Sequence, residues 1–227
     1  MPIKFVSLSS TFTEKIKQHG YEAFTMKIEE FVPTNQTTVY VSPANSLGFM
    51  DGGIDYALSR TVFPGVESQV KSAIRQLGIV SLVGKPYLPI GSSLLLKPQP
   101  KQTRDSDVWL CVAPTMMLPQ DVRGTKNAYY ATMAILKNIS SFFGSLGSQF
   151  ETVDILFTSF CCGYGKMSEE ESIQQILDGI RDFKQYIPTR VDSTRGIVLH
   201  EANLFEQPKL YQNTEFFHIS PSEIQRC

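Results

Sequence analysis

At 227 residues the chain can bury one substantial core but is short for two full domains, and its 42% hydrophobic and 19% charged shares are those of a soluble globular protein. The 21 Lys and Arg are balanced by 22 Asp and Glu, for a formal charge of −1, which argues against a nucleic-acid partner because phosphate-backbone binders carry a basic excess that displaces counterions. No segment approaches the roughly 20 apolar residues of a membrane span, and the opening MPIKFVSLSS is too short and polar for a secretory signal, so the expectation is an intracellular protein, cytoplasmic with the nucleus as an alternative, and no membrane partner.

Ile3 to Leu8 reads as a first strand, and Ser10 opens a helical pattern, TFTEKIKQH, that Gly20 closes. Tyr21 to Phe31 is predicted as a second strand, ending in MKIEE, and residues 33 to 38 form a loop by composition. Val39, Tyr40 and Val41 are the β-branched and aromatic types of a buried strand, which ends at Pro43. A polar, glycine-bearing turn runs from there to Gly52-Gly53, where a helical pattern starts. Strand, glycine loop and helix start bring backbone N–H groups together without partners, a setting that suits phosphate. Asn45 can both donate and accept hydrogen bonds, as a sugar diol requires, and Asp51 and Asp55 bring carboxylates to the same place. The competing reading makes Asn45 a turn cap and Asp51 a helix cap.

Val66, Val70, Ile74 and Leu77 make one apolar helix face ended by Gly78, and residues 79 to 106 hold one short strand, Leu94-Leu95-Leu96, between proline-rich connections. Asp107 to Ala113 is a further strand. If it runs parallel to the strand before Asn45, its following loop, with Asp121, Arg123, Lys126 and Asn127, reaches the same sheet edge, where ligands of open α/β sheets sit. A helix with Ala131, Ile135, Ile139 and Phe142 on one face comes next, then a strand from Thr152 to Ser159. That strand leads into a second small-residue turn, Phe160-Cys161-Cys162-Gly163-Tyr164-Gly165. Ser168 and Glu171 have capping-box spacing before a helix that buries Ile173, Ile176, Leu177, Ile180, Phe183 and Ile187. The cysteines at 111, 161, 162 and 227 lack CxxC spacing and the histidines at 19, 200 and 218 are scattered, so no metal is expected. From Pro188 the chain offers one possible strand, Gly196 to His200, and an aromatic, polar stretch whose apolar residues suggest packing.

Pro43-Ala44-Asn45, the pair Gly52-Gly53, Ile54, and Asp55 ten positions after the Asn together resemble the signature of macro domains. The resemblance extends to the second turn, Cys161-Cys162-Gly163-Tyr164-Gly165, which stands where that family has its second glycine loop. It implies an α/β fold, a three-layer α/β/α sandwich with a mixed central sheet, over residues 1 to 187, with residues 188 to 227 as an extension packed on it. It also implies a small-molecule ligand, ADP-ribose or a derivative, and no cofactor. By the same resemblance Asn45 contacts the distal ribose, and Ala44, Gly52, Gly53 and Ile54 lie beside it and the diphosphate. Asp55, with Asp51 as a second candidate, would orient or activate water, and residues 161 to 165 would wrap the diphosphate. The chain departs from the family in having Asp51 for a Gly, Ser59 where a hydrolytic branch often has His, Cys161 and Cys162 for smaller residues, and MKIEE for the Gly-Asp-Ile whose Asp recognises adenine; Glu29 or Glu30 is the alternative there.

The expected activity is hydrolysis at the distal ribose of an ADP-ribose derivative, with an ADP-ribose 1″-phosphate phosphatase as the first choice. A mono-ADP-ribosyl or O-acetyl-ADP-ribose hydrolase and a non-catalytic reader are the alternatives, and a third is a protein whose loop glycines serve turn geometry alone. Asp55 is expected to titrate near 4, as an ordinary carboxylate does.

Overall fold

The computed structural model describes residues 2–34, 36–98, 107–145 and 152–186. Their elements in chain order are β1 (Ile3–Ser7), α1 (Ser10–Gln18), β2 (Glu22–Thr25), β3 (Thr37–Ser42), α2 (Gly53–Ala57), α3 (Val66–Gln76), β4 (Leu94–Leu96), β5 (Asp107–Val112), α4 (Asn127–Ser145), β6 (Val153–Phe157) and α5 (Glu169–Tyr186). A 3-10 turn, Ile28–Glu30, follows β2, and a π-helical turn, Leu58–Val62, extends α2. The predicted second strand is therefore shorter than the sequence suggests, because the chain turns at Met26 and buries Ile28 in a 3-10 turn.

The strands form one sheet in the order β2-β1-β6-β3-β5-β4, all parallel except β4, which runs antiparallel to β5. β3 and β6 occupy the middle and are apolar on both faces, as strands covered by helices on two sides must be. Side chains alternate between two cores: Val39 and Val41 of β3 join Ile155 and Phe157 of β6 on one face, and Tyr40 joins Leu156 on the other. Phe12 and Ile16 of α1, Ala131, Ile135 and Ile139 of α4, and Ile173, Ile176 and Ile180 of α5 cover the first face. Leu58, Val62, Val66, Val70 and Ile74 cover the second. The result is a three-layer α/β/α sandwich with a mixed central sheet. Leu77 departs from the predicted α3 face: it caps the helix C-terminus and is 46% exposed.

Two consequences bear on the site. First, β3, β5 and β6 are parallel, so the loops after all three open at one edge of the sheet. Second, the β3–β5 pairing carries on past the strands, through Thr115 N to Ala44 O at 2.9 Å and Ser46 N to Met116 O at 2.9 Å. The start of the first glycine loop is thereby fixed to the loop after β5. The predicted strand Gly196 to His200, Ile187 and the rest of the C-terminal extension lie outside the described residues.

Candidate active site

The first glycine loop leaves β3 at Ser42 and enters α2 at Gly53. Asn45 holds its shape: Oδ1 accepts from the N–H groups of Leu47 and Phe49 at 3.0 and 3.3 Å, and Nδ2 donates to Phe49 O at 2.9 Å. These are the bonds of a turn-closing Asn, the competing role weighed from sequence. Gly48, at φ +73°, lies flat on α3, where a Cβ would stand 2.8 Å from Ile74 Cδ1. Met50 is fully buried and its carbonyl accepts from Ser59 Oγ at 2.8 Å, so Ser59 serves the loop's backbone. Ala44 is enclosed in the core beneath the loop, and Ile54 packs against the same core.

Asp51 and Asp55 part company in the structure. Asp51 is exposed in the loop, and α2 begins after Gly52 without a side-chain cap, so Asp51 does not play the helix-capping role. Asp55 turns inward, 9% exposed, and its Oδ1 accepts from Ser42 Oγ at 2.6 Å. Burial without a cationic partner pushes its pKa up to about 7, against the stabilising Ser42 hydrogen bond and with help from the negative charge of Asp51. The sequence predicts an ordinary carboxylate here; enclosure at the end of β3 makes it one that exchanges its proton near neutrality. Ser42 itself is the residue that sequence reasoning passes over. Its signal is a lone hydroxyl at the C-terminal end of an apolar strand.

The second loop follows β6. Cys161 adopts φ +63° and Lys166 φ +55°, and Gly165 has no room for a side chain, since a Cβ would stand 2.3 Å from Cys161 O and 2.7 Å from Val122 Cγ2. Val122 N donates to Gly165 O at 2.9 Å, which joins this loop to the one after β5. Burial raises both thiols, Cys161 to about 12, so neither is a ready nucleophile at neutral pH. Ser168 Oγ accepts from Glu171 N at 3.1 Å, the hydrogen bond that the capping-box spacing predicts for the start of α5.

The two loops meet. The Tyr164 ring, 69% exposed, lies over Gly52, where a Cβ would come within 3.2 Å of Cε2. The N–H groups of Gly52 and Gly53 on one side and of Gly163, Tyr164 and Gly165 on the other have no acceptor among the described residues. Backbone amides without acceptors in glycine loops are the kind of donor that binds anions. In the loop after β5, Asp121 is taken up by Arg123 at 2.6 Å and Asn127 by the carbonyl of Thr115 at 2.8 Å, so these two serve the loop's own structure. Among the described residues no group of three or more His, Cys, Asp or Glu is arranged to hold a metal ion. Nor is any described helix long and apolar enough to cross a membrane.

No family model matches the chain, and no curated protein does. Solved structures do. A macrodomain of Oceanobacillus iheyensis with ADP superposes with a TM-score of 0.52 at 15% identity, covering 81% of this chain and 89% of that one. A mutant of the same macrodomain with ADPR gives 0.50 at 15% identity, over 81% and 91%. Thermosipho africanus DarTG in complex with ADP-ribose gives 0.44 at 16% identity over 65% of this chain, which spans 35% of the length of that protein. The six-stranded mixed sheet, its covering helices and the Oceanobacillus superpositions agree: the chain has the macrodomain fold.

Proposed function

We propose that the protein binds ADP-ribose or a derivative of it and hydrolyses a group carried on the distal ribose, most readily a 1″-phosphate. The observation that carries this reading is Asp55: a carboxyl enclosed at the end of β3, where the two glycine loops lie, and poised to exchange a proton near pH 7. The loop amides would take the diphosphate. Water held by the ionised Asp55 would attack the phosphorus as the carboxylate takes its proton; the bond from phosphorus to the anomeric oxygen breaks and that oxygen takes up a proton from solvent, Asp55 later returning its own to solvent, so that the products are ADP-ribose and inorganic phosphate. A base whose pKa lies near the working pH combines a useful ionised fraction with useful basicity, which a carboxylate near 4 does not. Asp51, exposed at the loop's rim, acts on Asp55 through its charge.

Isothermal titration with ADP-ribose, followed by phosphate release from ADP-ribose 1″-phosphate, tests the reading. Binding with release is expected, and Asp55→Ala should abolish release, at least a hundredfold as for loss of a general base, while leaving ADP-ribose binding in place. Binding without release would turn the assignment to a reader or to another ADP-ribosyl linkage. No binding would leave the fold without this ligand.

A further inference from the structure

The Ser42 hydroxyl has no part in the hydrolysis described above, yet it is the only protein group hydrogen-bonded to the Asp55 carboxyl among the described residues. Ser42 is fully enclosed at the last position of β3, where its backbone is fixed on the β5 side by pairing with Val112 and by Ala113 N donating to Ser42 O at 3.0 Å. Asp55 sits on a five-residue helix that has no side-chain cap and passes directly into a π-helical turn. A paired strand end therefore holds a carboxyl carried by a short helix. Among the described residues Asp55 Oδ2 makes no hydrogen bond, and it is not fully enclosed either, since the sole fully enclosed side-chain polar atom there without a hydrogen bond is Thr38 Oγ1.

We propose that Ser42 is the positioning residue of this site: by donating to Oδ1 it locks the Asp55 carboxyl in one orientation and leaves Oδ2 as the oxygen offered to water or ligand. Its hydroxyl also favours the ionised carboxylate, against the burial that raises Asp55 to about 7. The charged groups around Asp55 are few. Asp51 in the preceding loop disfavours its ionisation, the 3-10 turn packed against α2 carries Glu29 and Glu30, and the π-helical turn carries Arg60, whose guanidinium is engaged by Glu67 at 3.0 Å. Taking away the Ser42 hydroxyl removes a favourable partner of the charged form and supplies no other.

The kinetic arm of the test rests on the hydrolytic reading; the titration arm does not. In the full chain, the Asp55 carboxyl carbon is followed by NMR across pH in the wild type, Ser42→Ala and Ser42→Thr. The wild-type midpoint is expected near 7. Ser42→Ala should move it upward by about half a unit or more, and Ser42→Thr, which keeps the hydroxyl, should bring it back. If the wild type releases phosphate from ADP-ribose 1″-phosphate, the pH of half-maximal kcat should move by the same interval in Ser42→Ala, with KM little changed. Ser42→Cys, close in size and a weak donor, carries the test if Ser42→Ala does not fold. An Asp55 midpoint unmoved in both Ser42→Ala and Ser42→Cys overturns the proposal. A moved midpoint in a protein that releases no phosphate upholds Ser42 as the positioning residue and sinks the 1″-phosphate reading alone.

Discussion

The sheet buries two carboxylates, one at each of its edges, and treats them in opposite ways. Asp154, fully enclosed near the start of β6, meets Lys4 of β1 at 2.8 Å, and the same ammonium reaches Thr34 Oγ1 at 2.7 Å. Asp55, at the other edge, meets a serine hydroxyl and no cation. A buried acid beside a cation has a partner for its charge; one with only a hydroxyl, like Asp55, is pushed towards its neutral form. The first arrangement ties β1 to β6 and to the loop before β3. The second keeps a proton mobile at the edge where the glycine loops meet. Placing an uncompensated acid there lowers stability at neutral pH, which is the usual sign of a functional position.

The contrast can be broken most forcefully at Lys4. Lys4→Met takes the Lys4 ammonium from the buried Asp154 and should lower unfolding free energy by about 3–5 kcal/mol, while the pair Lys4→Met with Asp154→Leu recovers most of that loss. Chemical denaturation of the two variants measures both, and a harmless single variant would mean that Lys4 does not neutralise Asp154.

Removing the acid at the opposite edge has the reverse effect, and only above a certain pH. Asp55 holds its proton more tightly folded, at about 7, than its ordinary value of 3.8, so its contribution to stability is complete below about pH 4 and is lost as pH rises through 7. At about 1.4 kcal/mol per unit of pKa this amounts to a few kcal/mol at most. Thermal unfolding from pH 4 to 9 should show Asp55→Asn losing less stability than the wild type over that range. Parallel curves would place the Asp55 carboxyl in ordinary solvent.

Smaller effects separate the two loops. Gly165→Ala forces a methyl group against Cys161 O and Val122 Cγ2, and should destabilise by about 1–3 kcal/mol and weaken ligand binding, since the second loop cannot close with that methyl in place. Tyr164→Ala removes an exposed ring and should change stability by less than about 0.5 kcal/mol. Its effect is expected in affinity instead: calorimetric titration with ADP-ribose should show weaker binding, because the Tyr164 ring is the contact that spans the two loops at Gly52. A Tyr164→Ala protein that binds as well as the wild type would exclude the ring from the ligand's surroundings.

Much of the fold was legible from period and punctuation. The strands at Ile3, Val39, Asp107 and Thr152, the apolar faces of α3, α4 and α5, and the Ser168 cap follow from alternation, 3.6-residue spacing and cap chemistry, all of which act over a few residues. Less of the site was. Asn45 has the right type for a sugar contact, yet its amide closes its own loop, because Leu47 and Phe49 offer nearby backbone partners. Asp51 and Asp55 are equivalent by composition and four positions apart, but α2 starts between them, so one is exposed and the other enclosed.

By itself the sequence determined the order of strands and helices, the two glycine turns and the types of groups they carry, since each depends on local conformational preference and on which residues must leave water. The tertiary structure decided which of those groups have partners. Ser42 and Asp55 are thirteen positions apart and become a hydrogen-bonded pair only when α2 packs over the end of β3, and Lys4 and Asp154 meet across 150 positions of chain. Protonation depends on burial and on neighbouring charge, and both are properties of packing rather than of residue type.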